Sequence, residues 1–231
     1  MDLTLHTFWD APQLDQALAC FVASRLREAL QARGSASLAL SGGKTPAGFF
    51  RRLAAEKLDW SNVLVTLVDE RWVDEDSPYS NARTVRANLL QGEAAKARFI
   101  PLFKPASSCA ETALLVAQDL AELPQTLDVV VLGMGEDGHT ASFFPDSPQL
   151  QAALGDATNR ACIAVEGKAP VIERITLTAP RLAACRSMLL HITGESKWGV
   201  LGQAVAQPSH ELPIGLMLNT PCESKHVFWT R

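Results

Sequence analysis

Short apolar runs alternate along this chain with longer helical stretches, and that alternation constrains the fold more than any other feature. Strands separated by helices build βαβ units around a parallel sheet. Leu3 to Phe8 alternates apolar and polar residues as a strand does. Asp10 then caps a helix, with Pro12 in its first turn, that runs to about Arg33 and is ended by Gly34. Ser37 to Leu40 is a short apolar strand. Thr45 is expected to cap the next helix, with Pro46 at its first position, to about Lys57. A strand follows at Val63 to Val68, and a helix starts at Ser80 or Asn81 and runs through Leu90. Ser108 to Leu123 reads as a helix and Asp128 to Leu132 as a strand. Further strands are expected at Cys162–Val165, Ile175–Thr178, Met188–Ile192 and near His226–Trp229, with a helix at Glu195 to Ala206. Pro145 to Pro148 and Gln207 to Pro213 are loops too short to be domain linkers. No internal repeat or low-complexity segment is present. The expected architecture is α/β: residues 1–231 as one domain, a three-layer α/β/α sandwich with a mainly parallel, Rossmann-like sheet.

The 231 residues are 47% apolar, which supports a substantial core and argues against disorder. A formal charge of −4 gives no electrostatic case for nucleic acid or an anionic membrane. An anionic ligand must therefore be held by a few local basic residues. Cys20, Cys109, Cys162, Cys185 and Cys222 are far apart in sequence, form no C-x-x-C pair and have no zinc-ligand spacing. They read as reduced thiols of a cytoplasmic protein. Met1 to Asp10 has neither a basic n-region nor a long apolar run, so no signal peptide is expected. No apolar run reaches the ~18 residues of a membrane span.

Three strand ends carry unusual residues, and in an open parallel sheet ligands bind outside the carboxyl ends of strands. The first is Ser41-Gly42-Gly43-Lys44-Thr45-Pro46, a glycine turn entering a helix whose free N–H groups and dipole favour an anion. It also reads as a plain capped turn, and it is not a Walker A loop, because Leu38 stands where that motif needs glycine. The second is Asp69-Glu70-Arg71, where an arginine can clamp a phosphate or simply belong to an ion pair at a strand end. The third runs from Gly133 through Gly135, Glu136, Asp137 and Gly138 to His139. It matches G-x-G-x-x-G, but Glu136 and Asp137 would repel a pyrophosphate and Pro145 soon interrupts any helix. Asp137 stands two residues before His139, where it can orient the imidazole and fix its tautomer. No G-x-S-x-G elbow surrounds Ser142 or any other serine, so water activated by His139 is preferred to a serine nucleophile. A fourth strand end carries Gly194-Glu195-Ser196-Lys197. His6, His210 and His226 read as structural, and His191, inside an apolar strand, as core.

Together these segments resemble the 6-phosphogluconolactonase family. The likeness runs through Ser41–Pro46, Asp69-Glu70-Arg71-Trp72-Val73, Ser80-Asn81, Gly133–Ser142, Arg174-Ile175-Thr176-Leu177-Thr178 and Gly194–Lys197, in order along most of the chain. The resemblance implies hydrolysis of 6-phospho-glucono-δ-lactone to 6-phosphogluconate in the oxidative pentose phosphate pathway, without cofactor; separately, no His/Cys/carboxylate cluster has a recognisable ligand spacing, so no metal is expected. It implies a fold shared with glucosamine-6-phosphate deaminases and ribose-5-phosphate isomerases. It makes His139 the general base with Asp137 beside it. It sets Arg71 and Lys197 near the phosphate, and Ser41, Gly42, Gly43, Lys44 and Thr45 along the substrate site, with Asp69, Glu70 and Gly135 among the substrate contacts. Arg174 is also included, although it lies at the start of its strand, the wrong edge if that strand is parallel. The implied partner is a sugar-phosphate lactone, with no nucleic acid or membrane, for a monomer or weak homo-oligomer. Two alternatives stand beside this reading. One is a glucosamine-6-phosphate deaminase/isomerase-like enzyme, which would carry a glutamate in an Asn-Glu-Pro stretch where this chain has Ser142-Phe143-Phe144-Pro145. The other is a non-catalytic regulator that binds a sugar phosphate.

Overall fold

The structure is a computed structural model that describes residues 3–43, 45–155 and 160–231. Strand β1 (Thr4–Phe8) leads into helix α1 (Ala11–Arg33). The Asp10 carboxylate accepts the Gln13 N–H at 2.9 Å, and Gly34, at φ 75°, ends the helix by donating to the Leu30 carbonyl. Leu14, Leu18, Val22 and Leu26 recur at helical spacing and are fully buried. Strand β2 (Ala36–Leu40) is buried along its whole length. Helix α2 (Ala47–Ala54) starts later and ends sooner than its sequence pattern predicts. Pro46, not Thr45, precedes its first residue, and no side chain of that residue caps it. The Asp15 carboxylate of α1 instead lies against Gly48 and accepts the Phe49 N–H, so the helix end is met by a neighbouring helix.

Strand β3 (Val63–Leu67) passes through Val68 into the short strand β4 (Asp69–Arg71). Helix α3 (Asn81–Asn88) follows, capped by Ser80 Oγ, which accepts the Arg83 N–H. Then come β5 (Arg98–Ile100), α4 (Cys109–Asp119), β6 (Leu127–Leu132), α5 (Leu150–Leu154), β7 (Cys162–Glu166), β8 (Glu173–Leu177), α6 (Ala179–Ala183), β9 (Cys185–Thr193), α7 (Glu195–Ala206), α8 (Pro213–Asn219) and β10 (Ser224–Thr230). Four of these, β5, α5, α6 and α8, have no counterpart in the sequence pattern. Strand β5 is too short to show a period, and α8 opens at the proline taken as the end of a loop.

Seven strands form one parallel sheet in the order β1-β10-β9-β6-β2-β3-β5. The connections β1→β2, β2→β3 and β3→β5 all move one way across it, and β5→β6, β6→β9 and β9→β10 move the other way. Crossovers between parallel strands are right-handed, so α1, α2 and α3 cover one face and α4, α7 and α8 the other. This is the expected three-layer sandwich. The chain leaves β2 and β6, which are neighbours, in opposite directions. That divergence opens a crevice at their carboxyl ends, the usual ligand site of such a sheet.

Strands β7 and β8 are not part of the parallel sheet. They pair antiparallel with each other, and β8 pairs antiparallel with β4, in a separate sheet ordered β4-β8-β7. An antiparallel strand presents its start at the edge where its parallel neighbours end. The condition that would put Arg174 at the wrong edge, a parallel strand, is not met, and its register partner in β4 is Arg71.

Candidate active site

The crevice is a cavity of about 260 Å³ walled by the loops after β2 and β6, by strand β4, and by the starts of α3, β8 and α7. Its floor is tied together by short polar contacts. Ser41 Oγ accepts the Gly133 N–H at 2.8 Å, and the Ser41 N–H donates to the Val131 carbonyl at 2.9 Å. Thr140 Oγ1 donates to the Gly133 carbonyl at 2.8 Å. Two glycines are required by close approach. A Cβ on Gly42 would lie 2.1 Å from Asn81 Oδ1, and one on Gly135 would lie 2.2 Å from His139 Nδ1. Gly135 thus lets the imidazole fold back over the loop that carries it.

His139 Nδ1 is 2.5 Å from Asp137 Oδ1, and the His139 backbone N–H donates to the same oxygen at 3.2 Å. The other Asp137 oxygen accepts from Lys168 Nζ at 2.5 Å. The His139 hydrogen bond, and then Lys168, hold the Asp137 carboxyl well below the usual carboxylate range, against the opposing effect of burial. With Nδ1–H held by a carboxylate, the lone pair of the imidazole sits on Nε2, as in a base oriented by an acid. The His139 ring also rests on Phe144, centroids 4.4 Å apart. His139 lines the cavity and Asp137 stands behind it.

Part of the cavity lining is cationic. Arg71, Arg174 and Lys197 all line the cavity. Arg71 Nη1 donates to the Tyr79 carbonyl at 2.7 Å, while its Nε is buried with no hydrogen-bond partner among the described residues. Arg174 donates from Nε to the Val171 carbonyl at 2.9 Å and from Nη2 to the Lys168 carbonyl at 3.1 Å, and its guanidinium lies over Phe144. Burial, and then the charge of Arg71, pull the Arg174 pKa below its ordinary value. Two adjacent guanidinium groups repel unless an anion sits between them. Lys197 comes from the first turn of α7, after Gly194 at φ 91°.

Ser41, Gly42, Gly43, Thr45, Asp69 and Gly135 line the cavity as well, and Lys44 lies outside the described residues. Asp69 accepts the Ser142 hydroxyl at 2.7 Å. Glu70 does not reach the cavity, which corrects the sequence reading. It is 1% exposed, and its two oxygens accept the N–H groups of Arg71, Asn81 and Ala82 and the Ser80 hydroxyl, fixing the segment between β4 and α3. Burial pushes its carboxyl up to about 7, and those N–H groups pull against the rise. The alternation of strand β4 carries the reason, since Asp69 and Arg71 share one side and Glu70 takes the other.

Three side chains were missed from sequence. Asn81 lines the cavity and donates from Nδ2 to the Asp69 carbonyl at 2.9 Å. His191, read as core, is buried in β9 but reaches the cavity, 4.0 Å from Asp15. Burial, and then Lys197, lower its pKa to about 4. Lys168 sits in an exposed turn that no motif marks. Of these, only Asn81 had a local signal, its place in the Ser80-Asn81 pair of the resemblance.

A family model described as glucosamine-6-phosphate isomerases/6-phosphogluconolactonase matches residues 10–229. The chain belongs to this family. Relatives named 6-phosphogluconolactonase include one from Rhizobium meliloti, 45% identical over 230 residues and 99% of each chain. Another, from Mesorhizobium japonicum, is 47% identical over 224 residues, covering 97% of this chain and 94% of the relative. The crystal structure of a 6-phosphogluconolactonase from Shewanella baltica superposes with a TM-score of 0.94 at 41% identity, over 100% of this chain and 98% of that one. Members of the glucosamine-6-phosphate isomerase/6-phosphogluconolactonase family thus match this chain over nearly its full length, including every wall of the cavity.

Proposed function

We infer that this chain hydrolyses 6-phospho-D-glucono-1,5-lactone to 6-phospho-D-gluconate, the lactonase step of the oxidative pentose phosphate pathway. The observation that carries this reading is the mixed chemistry of the cavity: a histidine oriented by an acid shares its lining with Arg71, Arg174 and Lys197. The three cations bind the phosphate and fix the lactone's orientation. His139 Nε2 takes a proton from water as that water attacks C1. Asp137, held on its other side by Lys168, keeps the imidazole in the required tautomer and stabilises the imidazolium. The backbone N–H groups of Gly42 and Gly43 face the negative charge that grows on the carbonyl oxygen. His139 then gives its proton to the ring oxygen as the C1–O bond breaks. No cofactor or metal takes part.

The deaminase alternative has no supporting observation. Phe143 and Phe144 are buried beside the base, and the Ser142 hydroxyl is engaged by Asp69, so this stretch offers no catalytic carboxylate. Among the described residues no helix is long and apolar enough to cross a membrane. We take residues 1–231 to act as one domain, as a cytoplasmic monomer or weak homo-oligomer, without nucleic acid or membrane. The deciding experiment couples lactone hydrolysis to 6-phosphogluconate dehydrogenase. Turnover well above spontaneous hydrolysis, unaffected by a strong chelator, is expected. Binding without turnover would favour the regulator, and ammonia release from glucosamine 6-phosphate would favour the deaminase.

A further inference from the structure

We propose that Cys185 and Cys222 are a reversible dithiol–disulfide site that accepts a glutathione-type disulfide as oxidant. Their 36 intervening residues conceal a direct pairing. Strands β9 and β10 run parallel with Ser187 opposite Ser224 and Met188 opposite Lys225. Cys222 lies two residues before β10 begins, and its thiol donates to the Cys185 carbonyl at 3.2 Å. The two sulfurs are 3.4 Å apart, and the Ser187 and Ser224 hydroxyls, one step along the same face, are 3.0 Å apart. Closing the S–S bond brings the two sulfurs from 3.4 Å to the ~2.05 Å of a disulfide.

The two thiols differ in the way such an exchange requires. Cys222 is partly exposed and Cys185 is buried. The neighbouring Cys185 thiol, and more weakly Lys225, lower the Cys222 pKa. The Cys222 contact and burial raise that of Cys185. The Cys222 thiolate attacks one sulfur of the oxidant, forming a mixed disulfide and expelling one low-molecular-weight thiolate. Cys185 then loses its proton and attacks Cys222 Sγ, expelling the second thiolate, which is protonated. Two protein thiols are oxidised to one disulfide, and the oxidant is reduced to two thiols. The remaining cysteines lack this geometry. Cys109 and Cys162 are buried, with pKa values pushed up to about 12, and donate to the carbonyls of Arg174 and Ala113. Cys20 is exposed beside Gln16 and Glu56, with no second thiol in contact.

The bond closes a loop containing α7 and α8 and restricts the unfolded chain, which raises stability by an amount that grows with loop length. It lies at the start of β9, roughly 25 Å along that strand from the catalytic edge. Oxidation is therefore expected to raise Tm by about 5–10 °C and leave kcat unchanged. The test equilibrates the full chain, in a Cys20→Ser background, with reduced and oxidised glutathione, followed by acid quench, alkylation and peptide mapping. The expected product has lost two hydrogens, links the peptides of Cys185 and Cys222, and reverts with dithiothreitol. Cys185→Ser should trap one glutathionyl group on Cys222, and Cys222→Ser should leave Cys185 unmodified. The proposal is overturned if both thiols stay alkylatable under oxidising conditions, if another pair links, or if Tm does not change on oxidation.

Discussion

Strand β6 carries an aspartate near each end, and the two are used in opposite ways. Asp128, near its start, is buried and accepts the Ser37 N–H at 2.8 Å and the Ser37 hydroxyl at 3.0 Å, with Arg33 and Arg186 closing the remaining side. Most of its donors sit on neighbouring strands or at their ends. Asp137, past the other end, sits in a glycine loop, half exposed, between Lys168 and a histidine. One acid is saturated by fixed groups and holds the sheet together. The other holds a group with a nitrogen free to take up a proton. Charge alone does not mark a catalytic carboxylate; what its partner can still do marks it.

The sharpest test of that contrast is His139→Asn, which is expected to lower kcat by ~10²–10⁴-fold without changing Tm appreciably. A purified variant with near-parental kcat would erase the distinction. The reverse pattern is expected for Asp128→Ala. Losing an acceptor for two buried donors should cost about 3 kcal/mol in urea unfolding, while kcat of the folded enzyme stays the same. A large kcat loss with unchanged stability would mean the two ends of β6 are not separable.

His191 extends the comparison to pH. Its folded pKa, about 4, lies below the unfolded value, so the unfolded chain binds more protons as pH falls from ~6.5 to ~4. Its contribution is present above ~6.5 and is lost on acidification. Glu70, held up to about 7, acts in the opposite sense over much of the same range. The informative quantity is therefore the stability difference between the parent and His191→Gln. It should shrink by about 3 kcal/mol between pH 7 and pH 4. A pH-independent difference would remove His191 from the acid lability. The smallest expected effects are those of Arg71→Ala and Lys197→Ala. Each should raise KM about tenfold, with a lesser change in kcat, by removing a charge-assisted contact to the phosphate. Unaltered affinity for 6-phosphogluconate in calorimetry would refute the phosphate assignment.

The catalytic edge was legible because its causes are local. Strands β2, β3 and β6 are short, mostly apolar runs, and each leads into polar or glycine-rich residues that mark its carboxyl end. What failed was non-local. Thr45 looks like a cap until Asp15, thirty residues earlier, is seen to occupy the helix end. Arg174 looked misplaced because a run of β-formers does not reveal which sheet it joins or in which direction. Lys168 acquires a role only when the antiparallel turn between β7 and β8 brings it to Asp137. His191 differs from a core histidine only through the cavity formed by other segments. Glu70 alone was recoverable locally, from the two-residue period of a strand.

The catalytic turn is also latched from outside. The Ile214 N–H at the start of α8 donates to the Gly138 carbonyl at 3.0 Å, and Leu212 packs so closely that a Cβ on Gly138 would lie 2.6 Å from its Cδ2. Lys197 belongs to the helix just before this segment. Hydrogen–deuterium exchange at the Ile214 amide therefore reports the opening of the His139 turn. Substrate held by Lys197 on one side and by the turn on the other should slow that exchange at both places together, coupling anion capture to the order of the base.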